Sequence, residues 1–365
     1  MSQAVPRPPG GPVRSGYSLA RWRARFGSDA LVAGAGRYGI PAFGILVAVF
    51  FSALRPDTYG TLENFRAILD TQVVVVFVAL AIMLPMVVGE FDLSVAAVAT
   101  LVATLVVGLP GKQHLGVVAS IVVALLPAPL IGLVNGLLVV RFRISAFVVT
   151  LGTSTLLAGI WLAYLDGKQY LPASIPDALT GISRDTLLGL PRPLFYAAIT
   201  AALLWFFFAY VRAGRRMQMA GSNRAAARLV GIRPERYLVA SFVGSALLAG
   251  VAGLILGTEL GSIYPGEGLS LLLPGFAAVF LGATTIDPGR FNVLGTVVAV
   301  YAVAFLVSGL QQLGLAPWAT PLLNGVALLL AVALSTLAIR ARQGHARRLQ
   351  LEILKASVPA EGAAG

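Results

Sequence analysis

Charged groups at membrane depth are costly and are functional candidates by default, and the carboxylates here cluster in two places. Glu90 and Asp92 stand two apart in "VVGEFDLSVAAV", and Asp287 lies in "LGATTIDPGR". Each falls at the end of an apolar block, where water access would equally explain it. Both readings stand open on the sequence. His114 and His345 lie in loop segments without a second ligand at metal spacing, so no metal site is expected. The absence of cysteine excludes disulfides, thiolate nucleophiles and cysteine metal ligands. Gly34 to Gly39 spell G-x-G-x-x-G, but that fingerprint needs a strand before it and an acidic residue about twenty positions on. Here it opens an apolar block, and chance explains it. Gly111-Lys112 is followed by Gln113, so no phosphate-binding P-loop occurs and the chain cannot hydrolyse ATP that way. An enzyme acting on lipids or sugars would need clustered acids or histidines at one interface, and only Glu90 with Asp92 comes near. No catalytic residue and no bound cofactor are expected.

The elements that must hold these residues follow from composition. The chain has 365 residues, 58% hydrophobic and 12% charged, with a mean hydropathy of +0.86. Soluble domains carry about 25% charge. The apolar residues come in blocks near 38–54, 72–89, 93–109, 115–140, 144–165, 194–212, 237–258, 269–286, 292–313 and 318–339. Blocks of that length match the roughly 30 Å of bilayer hydrocarbon. In lipid the backbone must satisfy its own hydrogen bonds, so helices follow. The expectation is an all-α membrane protein of about ten transmembrane helices, with the lipid bilayer as its solvent. Glu90 and Asp92 divide the second block from the third, and Pro274-Gly275 sit in the short eighth, so a broken or re-entrant segment is expected in either place.

Charge distribution sets the orientation. The net charge of +12 could suggest nucleic acid, but the basic residues flank apolar blocks instead of forming one patch. With ten crossings and both termini cytoplasmic, 21 of the 27 Lys and Arg residues fall inside, leaving Arg55, Arg66, Lys112, Lys168, Arg184 and Arg192 outside. Residues 1–37, rich in Pro, Gly and Arg, read as a retained, disordered cytoplasmic tail without a signal-peptide cleavage site. Residues 38–340 then form one transmembrane domain, and 341–365 a cytoplasmic C-terminal tail. The outer loop 166–193, with four prolines, is expected to form a small cap. The inner loop 213–236 contains "NRAAARLVG", helix formers ended by Gly231 and followed by Pro234. Glycines at 132 and 136, and at 253, 257 and 261, leave smooth stripes that suit close helix packing.

Four segments, in order, resemble the permease subunits of bacterial ABC sugar importers of the ribose, xylose and autoinducer-2 group. "GEFDLSVAAVATL" (Gly89 to Leu101) is similar to their G-G-I-D-L-S-V-G signature, and "GLVNGLLVVRFRISAFVVTLGTSTLLAGI" (Gly132 to Ile160) to their G-x-x-N-G segment and the following A-F-x-x-T-L. "GSNRAAARLVGI" (Gly221 to Ile232) resembles their G-x-N-x-x-A-A-x-x-x-G-I loop, and "FAAVFLGATTIDPGRFNVLGTVVAV" (Phe276 to Val300) their A-A-V-x-L-G-G-T-S segment. The resemblance implies a subunit of an inner-membrane importer that pairs with a second permease copy or paralogue. Separate cytoplasmic ATPases would bind the ATP-Mg, and a periplasmic binding protein would deliver a monosaccharide or related solute. It assigns ATPase coupling to Gly221, Asn223, Ala226, Ala227, Gly231 and Ile232. Signature or pathway roles fall to Glu90, Asp92, Ser94, Asn135, Thr150, Gly282 and Thr284. Glu90 replaces the usual glycine, and Ile286-Asp287-Pro288 a glycine-rich turn. Branched-chain amino-acid permeases are close relatives and leave the substrate open. A stand-alone secondary carrier would favour ionisable residues near the midplane, which are scarce.

Overall fold

A computed structural model describes residues 19–172, 175–316 and 318–337, with side chains from residue 37 onward. Fifteen α-helices account for most of it. They are α1 (Leu19–Leu54), α2 (Leu62–Thr71), α3 (Val73–Val87), α4 (Val95–Gln113), α5 (Val117–Leu125), α6 (Pro127–Phe142), α7 (Ala146–Tyr164) and α8 (Asp177–Arg184), followed by α9 (Arg192–Tyr210), α10 (Arg212–Ser222), α11 (Arg224–Leu229), α12 (Pro234–Leu260), α13 (Leu272–Gly282) and α14 (Val293–Gln312). The last, α15, spans Ala319–Leu337. Among the described residues nine stretches are long and apolar enough to cross a bilayer, two of them made of consecutive helices, α2–α3 and α5–α6. The all-α multi-pass expectation holds. α1 begins inside the segment expected to be a disordered tail; residues 1–18 and 341–365 lie outside the described residues.

The eighth apolar block forms a broken segment. α12 ends at Gly261, whose φ of +67° takes the left-handed conformation that closes the helix. After it come non-helical residues, a 3₁₀ helix over Glu267–Leu271, and only then α13. The 11 residues of α13 span about 16 Å, roughly half a bilayer. Non-helical backbone is tolerated at depth only where protein covers it. Gly268 meets that condition: a Cβ there would lie 2.6 Å from Thr100 Oγ1 on α4. The eighth apolar block is therefore the one that does not cross simply, as its length and its Pro-Gly pair suggest.

Two helices organise the rest. α3 is almost wholly Val, Ile, Leu, Met, Phe and Ala, and every residue from Val73 to Met86 is buried. Apolar on all sides, it belongs in the middle of a bundle and not against lipid. α12 has 27 residues and packs between α3, α4 and α6. Glycine makes that approach possible. A Cβ on Gly132 would lie 2.4 Å from Phe242 O, and one on Gly253 would lie 2.2 Å from Ala99 O. The glycine stripes are thus packing faces of α6 and α12.

At the end opposite the basic loops, the expected cap is present. α8 closes over α12, and a hairpin of β1 (Thr186–Leu187) and β2 (Leu190–Pro191), paired Thr186 to Pro191, packs beside α2 and α9. Ser183 Oγ lies 2.5 Å from Thr258 Oγ1, and the Arg184 guanidinium donates twice to Glu259 O at 2.8 and 2.9 Å. The G-x-G-x-x-G run lies within the helical span of α1, without a preceding strand among the described residues.

Close glycine packing predicts a sharp contrast. Gly253→Leu should destabilise the bundle by at least ~1–3 kcal/mol through overpacking. Gly159→Leu, at a position with nothing within 4 Å, should be nearly neutral. Thermal unfolding in detergent checks this; equal melting temperatures for the two would refute the packing role.

Candidate functional site

The site begins where α3 stops. Pro85 lies in its last turn, and Gly89 then takes φ +83°, a left-handed turn that glycine adopts without steric cost. The chain turns back into the bundle and delivers Asp92, which is 1% exposed. Its Oδ1 accepts from Ser94 N at 2.9 Å and from Ser94 Oγ at 2.6 Å, and its Oδ2 accepts from Ser245 Oγ on α12 at 2.9 Å. A buried carboxylate without donors would cost several kcal/mol. None of the salt bridges among the described residues involves Asp92. Hydrogen bonds at the start of α4, where the helix dipole is positive, take the place of a cation.

The network continues into α6 and α7. Asn135 Nδ2 donates to Ser94 Oγ at 3.0 Å, and Thr153 Oγ1 donates to Asn135 Oδ1 at 2.6 Å. The hydroxyl and amide protons therefore point in one direction, from α7 through Asn135 and Ser94 to Asp92. A second set of bonds grips the backbone of the same loop. Leu93 N donates to Thr150 Oγ1 at 3.1 Å, Ser154 Oγ donates to Leu93 O at 2.9 Å, and Thr150 itself donates to Ala146 O at 2.8 Å. Both backbone groups of Leu93, which would be orphans in a bilayer, are satisfied by α7. The arrangement is a polar clamp joining one loop to α6, α7 and α12.

A second assembly sits beside it at the basic end. α10 enters against the turn after α3: a Cβ on Gly221 would lie 1.8 Å from Val87 O, so only glycine fits. Asn223 caps α11 by accepting from Ala226 N at 3.0 Å. Ala227 and Ile232 are buried, and Ile232 N donates to Ala227 O at 3.0 Å. Gly231, with φ +77°, ends the turn as its position predicts. The sequence suggests one short helix in this loop; the structure has two, parted at Asn223. Arg224 Nη2 donates to Val88 O at 3.2 Å and to Glu90 Oε1 at 2.5 Å. The Glu90 carboxylate therefore faces α11 and stays out of the Asp92 network.

The candidates divide accordingly. Asp92, Ser94, Asn135 and Thr150 meet in the clamp, while Glu90 joins Gly221, Asn223, Ala226, Ala227, Gly231 and Ile232 around the loop. Gly282 and Thr284 belong to neither. A Cβ on Gly282 would lie 2.5 Å from Thr296 N, which marks the crossing of α13 and α14, and Thr284 Oγ1 donates to Leu281 O at 2.7 Å. The nearby turn is tied to α1, with Thr285 Oγ1 donating to Arg37 O at 2.7 Å. Sequence reasoning missed Thr153, Ser154, Ser245 and Arg224. Thr150, Thr153 and Ser154 do stand at helical i, i+3, i+4 spacing in an apolar span, a signal of one polar face.

A family described as the permease component of the branched-chain amino acid transport system matches residues 64–332. The chain belongs to this permease family. A ribose import permease of Haemophilus influenzae is 30% identical over 290 residues, covering 79% of this chain and 89% of that protein. The ribose import permease of Bacillus subtilis is 29% identical, over 80% of this chain and 91% of its own length. The autoinducer 2 import system permease of Photorhabdus luminescens is 29% identical, over 70% and 78%. No solved structure matches the chain. The permease is a multi-pass protein of the bacterial inner membrane and a member of the ABC sugar importer permeases. Both the clamp and the α10–α11 loop lie within the matched residues.

The clamp carries its own prediction. Ser245→Ala would leave Asp92 Oδ2 without its donor and should cost this permease about 1–3 kcal/mol. Thr155→Ala, on an exposed face where the hydroxyl bonds only Leu151 O of its own helix, should cost well under ~0.5 kcal/mol. Denaturant titration of the two variants in detergent decides; no loss at Ser245 would mean the bond to Asp92 contributes nothing.

Proposed function

We propose that this permease imports a monosaccharide or related small polar solute, powered by separate ATPase subunits that press on the α10–α11 loop. A periplasmic binding protein supplies the solute, and a second copy or paralogue completes the pathway. ATP-Mg stays on the partner subunits. The basic end and both termini face the cytoplasm, in keeping with the positive-inside rule. The names of the ribose-importing relatives support the substrate class.

The observation that carries this reading is the direct seat of the loop on the turn that leads into the clamp. Gly221 and Arg224 touch the backbone of Val87 and Val88, and two residues beyond Glu90 lies Asp92. A push on α11 is therefore delivered to a loop already bonded to α6, α7 and α12. Rigid-body movement of packed elements is the usual form of such transmission. The loop needs a partner to push it, because the chain has no nucleotide-binding motif of its own.

A mild-detergent pull-down of the full chain from its host is the first test. Co-purification of a P-loop ATPase and a periplasmic sugar-binding protein is expected. The chain alone, active in vesicles without ATP, would make it a secondary carrier instead. Variants test the loop itself. A Cβ at Gly231 would meet nothing within 4 Å, and the left-handed φ of +77° costs a side chain only about 1–2 kcal/mol, so Gly231→Trp should still insert and fold yet lower uptake at least ~10-fold by obstructing the docking surface. Normal uptake at equal expression would sink the coupling role. Arg224→Glu should also impair uptake, and the exchanged pair Glu90→Arg with Arg224→Glu should restore part of it. Charge–charge coupling requires that recovery.

A further inference from the structure

A cavity of about 620 Å³ opens between α2, the 3₁₀ segment with α13, α14 and α15. That volume falls within the roughly 300–1,000 Å³ typical of small-molecule sites. Its lining mixes polar and apolar groups. Asn64, Gln311 and Thr320 stand at the helix ends opposite the basic loops, with Ser308 and Asn324 about one turn deeper. Further in, Val300, Ala304 and Ala278 share the walls with Thr71 and Gln72 at the inner end of α2. Among the described residues no charged side chain lines it.

The polar groups are only partly used by the protein. Gln311 Nε2 donates to Thr320 Oγ1 at 2.9 Å, tying α14 to α15 across the mouth, and Gln312 Nε2 donates to Asn64 Oδ1 at 2.8 Å. The half-buried side chains of Ser308 and Asn324 make no hydrogen bond among the described residues, so their polar groups stand open to a ligand or water in the cavity.

We propose that this cavity is a low-affinity reception site for an uncharged, polyhydroxylated solute of monosaccharide size. The proposal rests on the import reading above, which turns the mouth toward the periplasm. Amides and hydroxyls, at the mouth and again at Thr71 and Gln72, both donate and accept, as sugar hydroxyls do, and the apolar wall of Val300, Ala304 and Ala278 suits the C–H face of a sugar ring. A zwitterionic amino acid or a sugar phosphate would leave its charges without counter-charges on entering. The lining thus separates sugar from branched-chain amino acid, a choice that membership of the wider family leaves open.

Saturation-transfer NMR on the full chain in lipid nanodiscs tests it, with D-ribose, D-xylose and D-glucose as neutral probes and L-leucine and ribose 5-phosphate as charged ones. At least one neutral sugar should give signal, and the charged probes none. The double variant Ser308→Leu with Asn324→Leu should weaken that signal at least ~10-fold, about 1.4 kcal/mol, at an unchanged melting temperature. Asn324→Gln, which keeps the amide, should retain binding even if the double variant folds poorly. Signal from leucine or the phosphate, silence from all three sugars, or undiminished binding in a folded double variant would overturn the site. Recovery of an ATPase without sugar binding would sink the cavity alone; sugar binding in a chain that recruits no ATPase would sink the importer reading alone.

Discussion

A carboxylate and a stretch of irregular backbone are both placed where no water can serve them, and much of the bundle is arranged around that constraint. Asp92 follows a helix end inside a membrane protein, and its oxygens must find donors within the chain. Ser94 supplies two of them and Ser245 the third. Once Ser94 is committed to Asp92, Asn135 must complete the hydroxyl, and Thr153 must complete Asn135. Each satisfied group fixes the next helix. The clamp therefore sets the mutual positions of α4, α6, α7 and α12 through polar bonds as well as packing.

Packing does the complementary part. α3 supplies an apolar spine, and glycines allow α12 to approach α4 and α6 at backbone distance. Burial by itself gives little direction between helices in lipid, because lipid tails are as apolar as leucine. Shape and hydrogen bonds must decide which faces meet. The same division recurs at the broken crossing, where α13 is too short to span and the preceding turn is covered by α4.

Apolar block length made the helical class and nearly all the crossings legible in the sequence. The Pro-Gly pair and short length of the eighth block marked it as irregular, and Gly231 with Pro234 marked the end of α11. Three failures have physical reasons. The start of α1 at Leu19 was hidden because the Pro, Gly and Arg of residues 1–18 set the character of the whole tail, although Ala, Leu and Arg from Leu19 onward are good helix formers. Of the site, Asp92, Asn135 and Thr150 stood out through the segments they share with the permease family. Ser245 did not, because a lone serine in an apolar helix usually bonds its own backbone, as Ser241 does with Leu238 O. Only the fold shows that Ser245 instead faces a carboxylate 153 positions away in sequence. The pairing of Glu90 with Arg224 was equally hidden, since two charges separated by 134 positions have no local signature.

The length of α12 has a consequence for the membrane itself. Its 27 residues make a rod of about 40 Å, against roughly 30 Å of hydrocarbon. A helix longer than the bilayer answers a thinner or thicker membrane chiefly by leaning. α12 cannot lean alone, since its glycine faces are seated on α4 and α6. Its first turn also carries Glu235, bonded to Arg228 of α11 at 2.5 Å. Lipid thickness thereby becomes a mechanical input that tilts three helices together and resets the height at which α11 stands above the membrane surface.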